Sequence, residues 1–143
     1  MLVLDDHHLF VALSGNAPPD VLRALAHSEV FTTASWYYRL ARAANDSTFT
    51  GALSRRIESL ESEGRDLIMN RLDQLPVEIG LLSSRTLVPV MAKLPTDPRL
   101  NHLAAEAVAT AILVDGGLRV VAASTVLIDA CNRLDVDLVV VDA

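Results

Sequence analysis

Three carboxylates stand at places where a small α/β protein could do chemistry. Asp5 and Asp6 follow the apolar run 1–4, and Glu106 interrupts the small-residue segment Ala104-Ala105-Glu106-Ala107. Oxygen ligands of this kind suit hard divalent cations, which usually keep several waters beside one or two carboxylates. His102 lies four residues before Glu106 and so shares its helical face. A carboxylate among alanines needs a partner if it is buried; the plainer reading of Glu106 is a solvated residue on an amphipathic helix. His7-His8 invites thought of a transition metal, since imidazole suits Zn²⁺. Adjacent histidines share an ion poorly and no cysteine or third histidine accompanies them, so loop polarity is the better reading. Trp36-Tyr37-Tyr38 could stack on bases, yet aromatics at helical spacing more often fill a core or an interface. Cys131 reads as a small buried hydrophobe.

The elements that position these residues follow from periodicity. Residues 1–4 form a short apolar strand, the polar knot Asp5-Asp6-His7-His8 follows, and Ser14 through Pro19 breaks the chain. A helix begins at Pro19-Asp20, residues 30–33 are β-branched and extended, and helical spacing resumes from Ser35 until Asn45-Asp46-Ser47 stops it. A long helical stretch covers 50–72, divided at Gly64. A strand-like run over 77–82 and a helix capped by Ser83 or Ser84 come next, then a loop over 95–98. The last part alternates most regularly: helix 101–114, Gly116-Gly117 as its C-cap, strand 118–122, a helix opened by Ser124, and strand 136–141. Strands alternating with helices predict an α/β fold, a three-layer sandwich with a central parallel sheet, in one domain spanning 1–143. The Val- and Leu-rich final strand is expected to be buried on both faces. In such a sheet ligands bind beyond the carboxyl ends of the strands. That directs attention to Asp5 and Asp6 after the first strand, to Ser124 and Thr125 after 118–122, and to Asp142.

Composition narrows the function classes. The 143 residues are 51% hydrophobic and 21% charged, enough apolar content for a core and no sign of disorder. Apolar stretches are short and interrupted by charge, so no membrane span is expected. The single cysteine and the lack of a basic, apolar leader pattern point to a cytoplasmic protein. The net charge of −6 lacks the global basic field of an avid nucleic-acid binder, although local binding stays open. Eleven of the twelve basic residues are Arg, paired at Arg39/Arg42 and Arg55/Arg56. Arg suits bidentate phosphate contacts, while a solvated helix face is the ordinary reading of any one pair.

The combination is more specific than its parts. Leu2-Val3-Leu4-Asp5 is an apolar strand ending in Asp. Glu106 to Ala111, through Gly117 to Val120-Val121-Ala122-Ala123-Ser124, reads acid, helix, Gly, strand, polar residue, with eighteen positions from Glu106 to Ser124. This order resembles the PIN-domain family, which includes the toxin ribonucleases of bacterial toxin–antitoxin pairs, and the resemblance spans the length of the chain. It implies a PIN-like fold and a site in which three or four carboxylates hold Mg²⁺ or Mn²⁺, activating water against an RNA phosphodiester. Carried onto this chain, Asp5 and Glu106 become catalytic metal ligands, Asp6 a further metal ligand, and Ser124 or Thr125 the group orienting water or phosphate. The resemblance also implies a homodimer and a cognate antitoxin protein covering the cleft. Two of the family's acids are missing: residues 32–44 contain no Asp or Glu, and Ser124 stands at the final acid position. Two readings therefore follow. One is a metal-dependent endoribonuclease with an incomplete acidic set; the other is a catalytically inactive PIN-like module binding protein or RNA.

Overall fold

The computed structural model describes residues 1–95 and 99–143. Five parallel strands form one sheet in the order β3-β2-β1-β4-β5, flanked by eight helices among the described residues. The strands are β1 (Leu2–Leu4), β2 (Val30–Thr32), β3 (Ile79–Leu81), β4 (Gly117–Val120) and β5 (Leu138–Val140). The helices are α1 (Asp6–Ser14), α2 (Pro19–Ala26), α3 (Ala34–Ala44), α4 (Ala52–Glu58), α5 (Ser62–Asp73), α6 (Ser84–Met91), α7 (His102–Val114) and α8 (Thr125–Leu134). This is the α/β three-layer arrangement that the alternation of elements predicts.

Successive strand residues face opposite sides of a sheet, and here they sort two cores. Leu4 and Val30 join Leu9, Leu13, Val21, Leu40, Ile68 and Ile79 on one face. Val3, Leu118 and Val120 join Trp36, Val108, Leu127 and Cys131 on the other. The register Val3↔Leu118 and Leu2↔Val30 keeps each set on its side. Helix α7 carries alanines at 104, 105, 107, 109 and 111, all buried, so it lies close against the sheet. A helix apolar around its whole circumference belongs in a core, and Glu106 is therefore carried inside with it.

Several local expectations are corrected. His7 and His8 are not loop residues: Asp5 is the N-cap of α1, so the helix begins within the polar knot. The 50–72 stretch breaks at residues 59–61, and Gly64 lies inside α5. The strand expected over 77–82 shrinks to β3, with Val77 almost fully exposed. The C-cap of α7 is Asp115 in the left-handed region (φ 50°), not Gly116-Gly117. Gly116 instead permits close approach, since a Cβ there would stand 2.8 Å from the Met1 carbonyl oxygen. The final strand is not buried on both faces. It is the sheet's outer strand, and Val139 and Val140 are half exposed. Of the loop expected over 95–98, residues 96–98 lie outside the described residues. No described helix is long and apolar enough to cross a membrane.

Candidate functional site

Asp5 sits where β1 ends and α1 begins, and both its oxygens are occupied. Oδ1 accepts from the His8 backbone N–H at 2.9 Å and lies 2.8 Å from His8 Nδ1. Oδ2 accepts from the Val121 N–H at 2.7 Å. One side chain thus caps α1, fixes His8 and ties β1 to the end of β4. An ionised carboxylate only accepts, so Nδ1 of His8 carries the donated proton, and buried Nε2 has no partner among the described residues. Burial pushes the Asp5 carboxyl up, but the hydrogen bonds from His8 and Val121 outweigh it and hold the group below its ordinary value of 3.8.

Glu106 is buried rather than solvated. Oε1 accepts from the Ala34 N–H at 3.0 Å and Oε2 from the Ser35 hydroxyl. These donors open α3, where Thr33 supplies the N-cap by accepting from Trp36 N–H. The first N–H groups of a helix lack intrahelical partners and favour negative charge. Glu106 therefore anchors α3 to α7. His102 Nε2 is 4.0 Å from Oε2, on the shared face that the spacing predicts, and is itself largely exposed.

Asp6, adjacent to Asp5, faces different partners. Oδ1 accepts from the His7 N–H at 3.0 Å, while Oδ2 lies 3.2 Å from Arg39 Nε. That approach gives Oδ2 an opposite charge without a well-aligned hydrogen bond. Burial raises the Asp6 carboxyl above 3.8; Arg39 opposes this and neighbouring Asp5 adds to it. Ser124 is exposed and serves as the N-cap of α8, its Oγ accepting from the Leu127 N–H at 3.2 Å.

The residues nominated by the sequence are thus near strand ends, but each has a separate structural partner. Among the described residues no group of three or more His, Cys, Asp or Glu could hold a metal ion. Asp5 and Glu106 are held by N–H and O–H donors and Asp6 faces a guanidinium, contacts that compete with coordination of a divalent cation. Cys131 is buried as expected, its thiol pushed up to about 11 by desolvation. Trp36 is core, Tyr37 donates to the Leu72 carbonyl, and Tyr38 alone of the three is open, at 63% exposure.

An open cleft of about 780 Å³ lies beside Asp6, lined also by His7, Arg39, Arg42, Asn45 and Thr50. Asp6 faces the guanidinium of Arg39, whose side chain is 55% exposed. Arg42 makes no ion pair within 4.0 Å among the described residues. At the rim Asp46 organises a turn. Its Oδ1 accepts from the Thr48 hydroxyl at 2.6 Å and N–H at 3.0 Å, holding the carboxyl down at about 2. The paired arginines are legible in the sequence as a helical i, i+3 step; that a cleft lies over them is not. His8 and Ser35 had no sequence signal beyond the three-residue step from Asp5 to His8.

No family model, curated protein or solved structure matches this chain.

Proposed function

We propose that this is a PIN-like protein that works as a non-cleaving binding module, and that its ligand is single-stranded RNA bound at the arginine-lined cleft. The observation that carries this reading is the engagement of the carboxylates. Asp5 serves three protein donors and Glu106 two, which are structural duties that compete with coordinating a cation. The cleft supplies what binding needs instead. Arg39 and Arg42 offer guanidinium groups suited to phosphate oxygens. Tyr38 stands one helical turn before Arg42 and presents an exposed ring on which a base can stack.

The test pairs binding with cleavage. Fluorescence anisotropy with a labelled single-stranded oligoribonucleotide is expected to report salt-dependent binding, weakened at least tenfold by Arg42→Glu. The same RNA is expected to stay intact in Mg²⁺ or Mn²⁺. Cleavage that Asp5→Asn and Glu106→Gln abolish would sink the non-cleaving reading and restore the metal-dependent endoribonuclease. A homodimer and an antitoxin-like protein partner belong to the same family likeness, and sedimentation of the purified chain tests the first of them.

A further inference from the structure

The sheet ends on β5 with a free edge. Leu138, Val139 and Val140 pair in parallel with Leu118, Arg119 and Val120 of β4, and among the described residues no strand lies beyond them. The three consecutive valines 139–141 are 50%, 51% and 37% exposed. Val140 and Leu138 share the face of Leu118 and Val120, and there α8 leaves a largely polar groove of about 470 Å³, lined by Asn132, Asp135 and Asp137 as well as Ile128, Cys131 and Val136. Val139 faces the other way, level with Arg119, and is half open too. An apolar edge strand is a template for further strand pairing, and proteins ordinarily blunt one with charge, proline or a bulge. Here β5 is only three residues long, and its charges stand just outside it, at Asp137 and Asp142. At the far edge, β3 presents Leu81 at 40% exposure, while Ile79 is buried.

The charge around this edge selects its occupant. Asp135 and Asp137 line the groove, Asp142 follows the strand, and all three are exposed. Three cations stand near: Arg133 is directed to the Pro95 carbonyl at 3.4 Å, Arg56 to the Ala143 carbonyl at 3.4 Å, and Arg119, level with Val139, is paired with Asp20 at 2.7 Å. A second copy docking edge to edge brings this acidic set against itself, and like charges directly opposed are destabilising. We propose that the outer edge of β5 is a docking strand for an extended, basic segment of a partner protein. Its main chain adds a sixth strand, its apolar side chains lie beside the exposed valines of β5, and its Lys or Arg residues reach into the β5–α8 groove to meet Asp135 and Asp137, and Asp142 beyond the strand. This inference is independent of what the arginine cleft binds.

The probe is a short synthetic peptide alternating valine and arginine, titrated into the full chain and followed by backbone amide shifts and hydrogen exchange. Binding is expected to protect the outward-facing amides of Leu138 and Val140, leave those of Val139 and Val141, which face β4, little changed, and weaken with salt. Asp137→Lys combined with Asp142→Lys is expected to lower affinity about tenfold while leaving the urea midpoint unchanged, since both side chains are exposed. Two control peptides decide the mode: one alternates valine and glutamate, and the other carries N-methyl groups on alternate backbone nitrogens. Equal binding of the glutamate peptide overturns the charge argument, and equal binding of the N-methylated peptide overturns strand addition. Absence of amide protection at β5 overturns the site. A dimer that Val139→Lys dissociates assigns the edge to a second copy and also overturns the proposal.

Discussion

At the carboxyl end of β1 two adjacent aspartates lead opposite lives. Asp5 turns into the protein and gathers donors from α1 and from beyond β4, while Asp6 turns toward α3 and meets Arg39 at the wall of an open cleft. Burial is nearly the same for the two, at 4% and 3% exposure. Their carboxyl groups nevertheless shift in opposite directions. What separates them is the number of well-aligned donors, which decides whether a buried carboxylate prefers its charged form. A strand-end acid is thus not by itself a ligand site. Its vacancy for a ligand depends on whether the surrounding backbone has already claimed it.

The largest expected effect tests the claimed side of this pair. Asp5→Ala leaves two buried N–H groups and the His8 ring without their acceptor, and is expected to cost about 3–5 kcal/mol in urea unfolding. A loss below about 1 kcal/mol would mean the three-way tie is not made in solution. Next is Glu106→Ala, which strips the start of α3 of its acceptor at a cost of about 2–3 kcal/mol. Hydrogen exchange should show the first turn of α3 opening more than the end of α7; uniform loosening would contradict a local anchor.

A smaller effect separates the aspartates by pH. Asp5 has a lowered native carboxyl, so its contribution is present above 3.8 and lost as pH falls through the lower native value. Asp6 has a raised one, so its ionised form opposes folding above that value, and the penalty fades as pH falls toward 3.8. Asp6→Asn is therefore expected to match or exceed the parent chain at neutral pH and to lose that advantage as pH approaches 3.8. An advantage that instead grows with acidification reverses the sign argued here. Smallest is Arg42→Glu, expected to move stability by no more than about 0.5 kcal/mol because the residue makes no ion pair among the described residues. Its effect should appear in RNA binding alone, and a large stability loss would make it a structural residue.

Much of the fold was legible because it rests on local signals. The strand 1–4, the cap at Ser124 and the helix 101–114 are written in apolar period and capping residues, and they fall within a residue or two of their observed limits. The errors share a cause. Asp5 starts a helix directly because its side chain replaces a backbone acceptor, a hydrogen bond that hydropathy does not register. The valines of β5 look buried because composition reports β-propensity; whether a neighbour exists is settled by strand order. At the site, the sequence located Asp5, Asp6 and Ser124 at strand or helix ends and Glu106 within a helix, but could not say which donors each would meet. Those donors come from distant segments: Ala34 and Ser35 lie more than seventy residues before Glu106.

The Asp5–Val121 bond also bears on how the chain folds. β1 is the centre of the sheet; Leu2 pairs with Val30 on one side and with Gly117 on the other. The first pairing closes a short loop, the second one of over a hundred residues, and the Asp5 hydrogen bond spans 116 positions. Closing a long loop costs entropy before its contacts return anything. The β1–β2 half with α1, α3 and α5 can therefore form early, and arrival of β4 is the expected slow step. Asp5 waits at that seam with its first acceptor oxygen already committed to α1, so its second can act as the latch that registers β4 when it docks.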